Sequence, residues 1–128
     1  MKLPATLATS AICVLIYVFF SVRVVLARFA SEKLAVDAKA DGKLHLRIRV
    51  HGNFAEYVPL ALLMMGFLEI SGTREGYLYC IGAALVAARV AHAVGLPLKA
   101  PNPLRGFGIV VTLGVLLAES VLALMLLR

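Results

Sequence analysis

The sequence predicts an all-α integral membrane protein, a bundle of four transmembrane helices. Three observations carry that prediction. Of the 128 residues, 62% are hydrophobic and 16% charged, against about 45–50% and about 25% in a soluble globular chain, and the mean hydropathy is +0.94. The apolar residues gather in four blocks, at about 3–29, 44–70, 76–95 and 104–127, each near the roughly 20 residues that a helix needs to cross hydrocarbon. The stretches between them are short, so residues 1–128 read as one four-helix unit with no separate soluble domain.

In helix 1, residues 3–22 carry no charge, and the block continues past Arg23 and Arg28 to Phe29, with an aromatic cluster at Tyr17, Phe19 and Phe20. A removable signal peptide is disfavoured: the apolar stretch exceeds the usual 7–15 residues, and two arginines precede the small-residue string ARFASE. The loop ASEKLAVDAKADGKLHL mixes charges of both signs and holds the turn signal Asp41-Gly42. Its first part consists of good helix formers that could extend helix 1 outward. Helix 2 begins near Leu44 and contains Pro59, which removes one backbone hydrogen bond and should bend it. SGTREG at 71–76 reads as a tight turn. Helix 3 stops at Gly95, because Pro97, Pro101 and Pro103 exclude helix beyond it, and Pro103 suits the first turn of helix 4. Gly106, Gly108 and Gly114 would let helix 4 approach its neighbours closely.

Charge gives the orientation. Residues 28–49 hold six Lys/Arg (28, 33, 39, 43, 47 and 49), and Lys99 and Arg105 flank the 97–105 loop, whereas the other side has Lys2, Arg74 and Arg128. Short loops rich in Lys/Arg stay cytoplasmic, so both termini are expected on the far side. The net charge of +6 is therefore a topology signal; no aromatic-studded basic surface points to nucleic acid. Cys13 and Cys80 sit in apolar helices with no CxxC and no His at ligand spacing, which suits packing rather than a disulfide or metal.

The informative stretch is RVHGNFAEYVPL, 49–60. At about 100° per residue, Arg49, Asn53 and Glu56 fall within roughly a 60° arc, with Tyr57 on its shoulder. An acid and a base on one face in hydrocarbon cost several kcal/mol unless partnered. Counting rise per residue, Glu56 lies roughly 13 Å along helix 2 from Arg47 and Arg89 roughly 10 Å from the end of helix 3. Arg23 is expected at a similar depth below Phe29, with Arg49 and Arg105 at the rim and His92 between. Glu56 then either pairs with Arg89 or Arg23 to tie helices together, or belongs to a cation-rich pocket. A ligand with two carboxylates and one ammonium would satisfy that pocket, arginine being suited to carboxylates by its bidentate fork. Elsewhere, Glu69 reads as a solvated helix-end acid near Arg74, and Tyr77 and Tyr79 as interfacial aromatics. Met64 and Met65 face lipid or core. Glu119 lies roughly 21 Å along helix 4 from Arg105 with no cation at its depth. A structural role is expected for it, protonated or paired across a subunit contact with Ser120 or Arg128.

RVHGNFAEYVPL, together with AARVAHAVGL in helix 3, resembles the membrane-associated proteins in eicosanoid and glutathione metabolism (MAPEG), the bacterial branch in particular, over essentially the whole chain. The resemblance implies a homotrimer of four-helix bundles that binds glutathione between neighbouring subunits near the cytoplasmic face of a bacterial inner membrane. It implies glutathione contacts for Arg49, Asn53, Glu56 and Tyr57, and for Arg28 and Arg89. His51 stands where relatives often have Gln; its direction, about 200° from Arg49, suits another subunit's ligand. Arg105, at the start of helix 4, is the candidate for the family's catalytic arginine, although the loop before it needs a short insertion to align. The sequence departs from eicosanoid-forming relatives at His92 and Leu96, where those have tyrosines. Leukotriene synthesis is therefore not implied, and His92 is either a replacement donor or a packed interfacial histidine.

The expected function is a glutathione transferase or peroxidase-like enzyme that presents the glutathione thiolate to a lipophilic electrophile. Its partners would be further copies of the chain, membrane lipids and the lipophilic substrate. The alternative is a non-catalytic protein of the same fold that holds lipid or glutathione. A four-helix drug exporter is disfavoured, since such exporters centre on an acid in helix 1 and none is present here.

Overall fold

The computed structural model describes residues 2–30 and 42–127. They form four helices: α1 Pro4–Ala30, α2 Gly42–Ile70, α3 Glu75–Gly95 and α4 Pro103–Leu126. Each is long and apolar enough to cross a membrane. The helix ends fall within two residues of the expected ones. The outward extension of helix 1, Asp41 of the turn signal, Lys33, Lys39 and Arg128 lie outside the described residues.

Local chemistry sets the boundaries. Gly72, at φ 85°, turns the chain after α2, a backbone conformation glycine adopts without steric cost. At α4, Asn102 is the N-cap and Pro103 follows it in the first turn; the cap satisfies one of the four orphan N–H groups of the helix start. Pro59 lies inside α2, which continues through it to Ile70.

Each helix lies beside two others around the bundle, in the order α1, α2, α4, α3, with α2 and α3 also in contact across the diagonal and α1 apart from α4. The interior has three apolar layers. At one end Phe20, Val50, Phe54, Val58 and Leu96 cluster with Cys13, the rings of Phe20 and Phe54 meeting edge-on at 5.6 Å. Ala61, Leu85 and Val115 fill the middle. Ala5, Met65, Leu68 and Leu78 close the far end. The outer faces are apolar too: Leu15 is 72% exposed and Val110 70%, the pattern of a bundle solvated by lipid. Two helix contacts are close. A Cβ on Gly82 would collide with the Thr9 side chain, and one on Gly108 would sit 2.5 Å from His92 Cβ and 2.7 Å from the Ala88 carbonyl. Gly106 and Gly114, also expected to serve close approach, face open space: a Cβ added at either would meet nothing within 4 Å.

Glu69 is not a solvated acid beside Arg74. It is buried, and its carboxylate accepts hydrogen bonds from the backbone N–H of Ala5 at 2.9 Å and Thr6 at 2.8 Å. The start of α1 presents unpaired N–H groups and the positive end of the helix dipole, and the last turn of α2 lies beside it.

Candidate functional site

The opposite end of the bundle collects the cations. Arg89, on α3, is 2% exposed. Its Nη1 donates to the Asn53 carbonyl at 3.4 Å and its Nη2 to the Gly108 carbonyl at 3.0 Å, and its guanidinium lies 5.5 Å from the centre of the Tyr57 ring. Nε has no hydrogen-bond partner. One side chain therefore ties α2, α3 and α4 through two carbonyl oxygens and an aromatic face. A narrow cleft lined by Tyr57, Arg89, Ile109, Thr112 and Leu113 opens beside it. Thr112 also donates to the Gly108 carbonyl, at 2.7 Å.

Glu56 is exposed and pairs with neither Arg89 nor Arg23. Its neighbour one turn back, Asn53, is half-buried, and Arg49 is exposed at the rim. The face read from the sequence is thus present on α2 and turned out of the single-chain bundle.

His92 is 3% exposed. Arg49, Arg89 and Arg105, on α2, α3 and α4, lie close enough to act on its charge. Arg105 is held by its backbone. Its N–H donates to Asn102 Oδ1 at 2.9 Å, while Asn102 Nδ2 donates to the Gly95 carbonyl at 2.8 Å. Asn102 thus joins the end of α3 to the start of α4, and Gly95 leaves no space for a Cβ against Arg105 N and Asn102 Oδ1. The Arg105 guanidinium is left without a partner among the described residues. Asparagine before proline at a helix start is an N-cap signature, the signal by which Asn102 was readable.

His51 turns to the other side of α2. Its Nε2 lies 3.0 Å from Ser21 Oγ, and its ring centre 4.8 Å from that of Tyr17. The Ser21 hydroxyl donates to the Tyr17 carbonyl at 2.9 Å. Arg28 is exposed on α1. Leu96 is 7% exposed and packs in the aromatic layer.

The expectation of three intramembrane charges at one level does not hold for Arg23. Arg47 Nη1 donates to the Arg23 carbonyl at 3.1 Å, and both residues line a notch with Ala93 and Pro97. Arg23 therefore lies at the rim, beyond Glu56 and Arg89. The reason is that α2 starts at Gly42, which puts Glu56 about 21 Å from its own helix start, while Arg23 is only about 10 Å from the end of α1. Glu119, in α4, is fully buried and neither carboxyl oxygen has a hydrogen-bond partner. Among the described residues no group of His, Cys, Asp and Glu could hold a metal ion.

The MAPEG family model matches residues 6–125. The inner membrane protein YecN of Escherichia coli strain K12 and that of an O6:H1 strain of Escherichia coli are each 38% identical to this chain over 53 residues. That match covers 41% of this chain and 40% of either relative's length. No solved structure matches.

Proposed function

The chain belongs to the MAPEG family, and from that premise we propose that it is a membrane-bound glutathione transferase or peroxidase-like enzyme that activates the glutathione thiolate. The observation that carries this reading is the set of Arg49, Arg89 and Arg105 within electrostatic reach of His92; Glu56, on the Arg49 face of α2, is exposed. Glutathione brings two carboxylates, one ammonium and one thiol. The carboxylates suit Arg49 and Arg28, the ammonium suits Glu56, and amide groups suit Asn53 and the Tyr57 hydroxyl. Arg89 braces that wall from behind, since two of its nitrogens already serve backbone carbonyls.

Arg105 is the catalytic residue in this reading. A free thiol of pKa about 8.5 is mostly protonated at neutral pH, and a guanidinium within hydrogen-bond reach favours the thiolate. Lowering the thiol pKa to about 6.5 corresponds to about 2.7 kcal/mol. The thiol proton passes to water, the sulfur lone pair forms a bond to the electrophilic carbon, and the leaving group departs with the electron pair of its broken bond. The apolar outer faces of α1 and α4 suit an electrophile that arrives from the lipid. Assembly as a homotrimer would bring Arg28 and His51 of one subunit to the ligand of the next. The charge bias and the inner-membrane relatives support a bacterial inner membrane with both termini away from the cytoplasm.

The burial of His92 and Leu96, at positions where eicosanoid-forming relatives offer tyrosines, favours a second reading in which the same fold binds glutathione or lipid without turnover. Adding glutathione to the purified protein and following ultraviolet thiolate absorbance separates the two. The enzyme gives a thiolate signal that disappears in Arg105→Ala; a binder takes up glutathione with no such signal.

A further inference from the structure

We propose that the notch at the cation-rich end, with the groove below it, binds an anionic phospholipid, its phosphate on Arg23 and Arg47 and one acyl chain along the α1–α3 edge. The notch, about 30 Å³, is walled by α1, α2 and the end of α3. Its two arginines come from different helices, and Arg47 Nη1 donates to the Arg23 carbonyl. The Arg23 guanidinium rests 5.6 Å from the centre of the exposed Phe19 ring, out toward lipid. Neither arginine has a carboxylate partner among the described residues. Of the described acids, Glu69 and Glu119 are buried elsewhere, Glu75 opens α3 at the far end, and Glu56 points about 180° away from Arg47 around α2. Both guanidiniums keep donors without a partner among the described residues, and a phosphate ester, with several acceptor oxygens, matches such donors.

The tail has a path. Ile12, Phe19 and Arg23 fall within about 40° of one another around α1. Below them a groove of about 380 Å³ runs between α1 and α3, floored by Gly82 and Ala83 and bordered by Ile12 and Val86. Ile12, at the near edge of the groove, is about 16 Å from Arg23 along the helix. A chain crossing one leaflet of ~15 Å therefore passes the exposed Phe19 ring and enters the groove at its tip. The site is separate from the residues assigned to glutathione, so it stands or falls independently of that assignment.

The test uses the full chain, delipidated in neutral detergent and offered phosphatidylglycerol or phosphatidylcholine of matched chains, with retained lipid read by native mass spectrometry. Phosphatidylglycerol should be held about tenfold more strongly, the scale of one charged hydrogen bond. Arg23→Gln with Arg47→Gln should erase that preference while glutathione uptake persists. Ala83→Phe, which fills the groove, should weaken retention of both lipids. Equal retention of the two lipids by the natural chain, or a preference that survives the double substitution, overturns the proposal. So does displacement of the lipid by inorganic phosphate alone, which would mark a free-anion site. A change of oligomeric state in the double variant, with lipid retention intact, would give the notch to a second copy of the chain and also overturn it.

Discussion

At the Glu69 end of the bundle a buried carboxylate accepts two backbone N–H groups of α1. At the other end, the guanidiniums of Arg49 and Arg105 have no acid to meet among the described residues, and Glu56 stands exposed without a cation. Both ends place charge near a membrane surface, and they resolve it differently. Glu69 is satisfied within the chain, so its charge holds two helix termini together. The cationic end leaves donors and one acceptor open, and such groups cost free energy in a low-dielectric surrounding unless something else satisfies them. Stability is therefore expected to respond at the first end and ligand chemistry at the second.

The largest expected effect is at Arg105. Its side chain is free, so Arg105→Ala should reduce glutathione thiolate formation about 100-fold, the equivalent of about 2.7 kcal/mol. The unfolding midpoint in detergent should change little, since the lost guanidinium has no hydrogen-bond or ion-pair partner among the described residues and substitutions away from such features usually stay within about 0.5 kcal/mol. A large drop in unfolding midpoint would show that the two ends are not divided in this way. Glu69→Ala is the mirror experiment. It strips the partners from two N–H groups of α1 and should cost about 1–3 kcal/mol of stability, with glutathione uptake by the folded fraction unchanged.

Gly108 sets the helix spacing at the cationic end. A Cβ there meets His92 Cβ at 2.5 Å and the Ala88 carbonyl at 2.7 Å, and backbone cannot yield as a flexible side chain can. Gly108→Ala should force α3 and α4 apart, cost about 1–3 kcal/mol, and loosen the Arg89 hydrogen bond to the Gly108 carbonyl. Gly106→Ala, which meets nothing within 4 Å, is the control and should be neutral or stabilising by up to about 1 kcal/mol. Equal losses from both would mean that helix spacing does not govern the site.

The four helices were legible because apolar runs of spanning length have few other readings, and the polar face of α2 because a 3.6-residue period sorts Arg49, Asn53 and Glu56 together. The tie made by Arg89 was not legible, since its acceptors are backbone carbonyls and every residue carries one. The Glu69 partner was hidden for the same reason: the N–H groups of Ala5 and Thr6 leave no mark in sequence. The level of Arg23 is misleading in sequence because depth along helix 2 is counted from Arg47, although α2 begins at Gly42.

The smallest effect, and the sharpest division between the ends, is expected at Asn102. This residue touches no assigned ligand group; it holds the Arg105 backbone and bonds the last carbonyl of α3. Asn102→Ala removes an N-cap, worth about 1 kcal/mol, and lets the start of α4 shift relative to α3. A purely structural cap would lower the unfolding midpoint and nothing else. If the cap also aims Arg105, the thiolate signal per bound glutathione should fall several-fold with the guanidinium still present, and Asn102→Asp, which keeps an acceptor for Arg105 N–H, should restore most of it. A full thiolate signal in the alanine variant would put the aim of Arg105 in α4 itself.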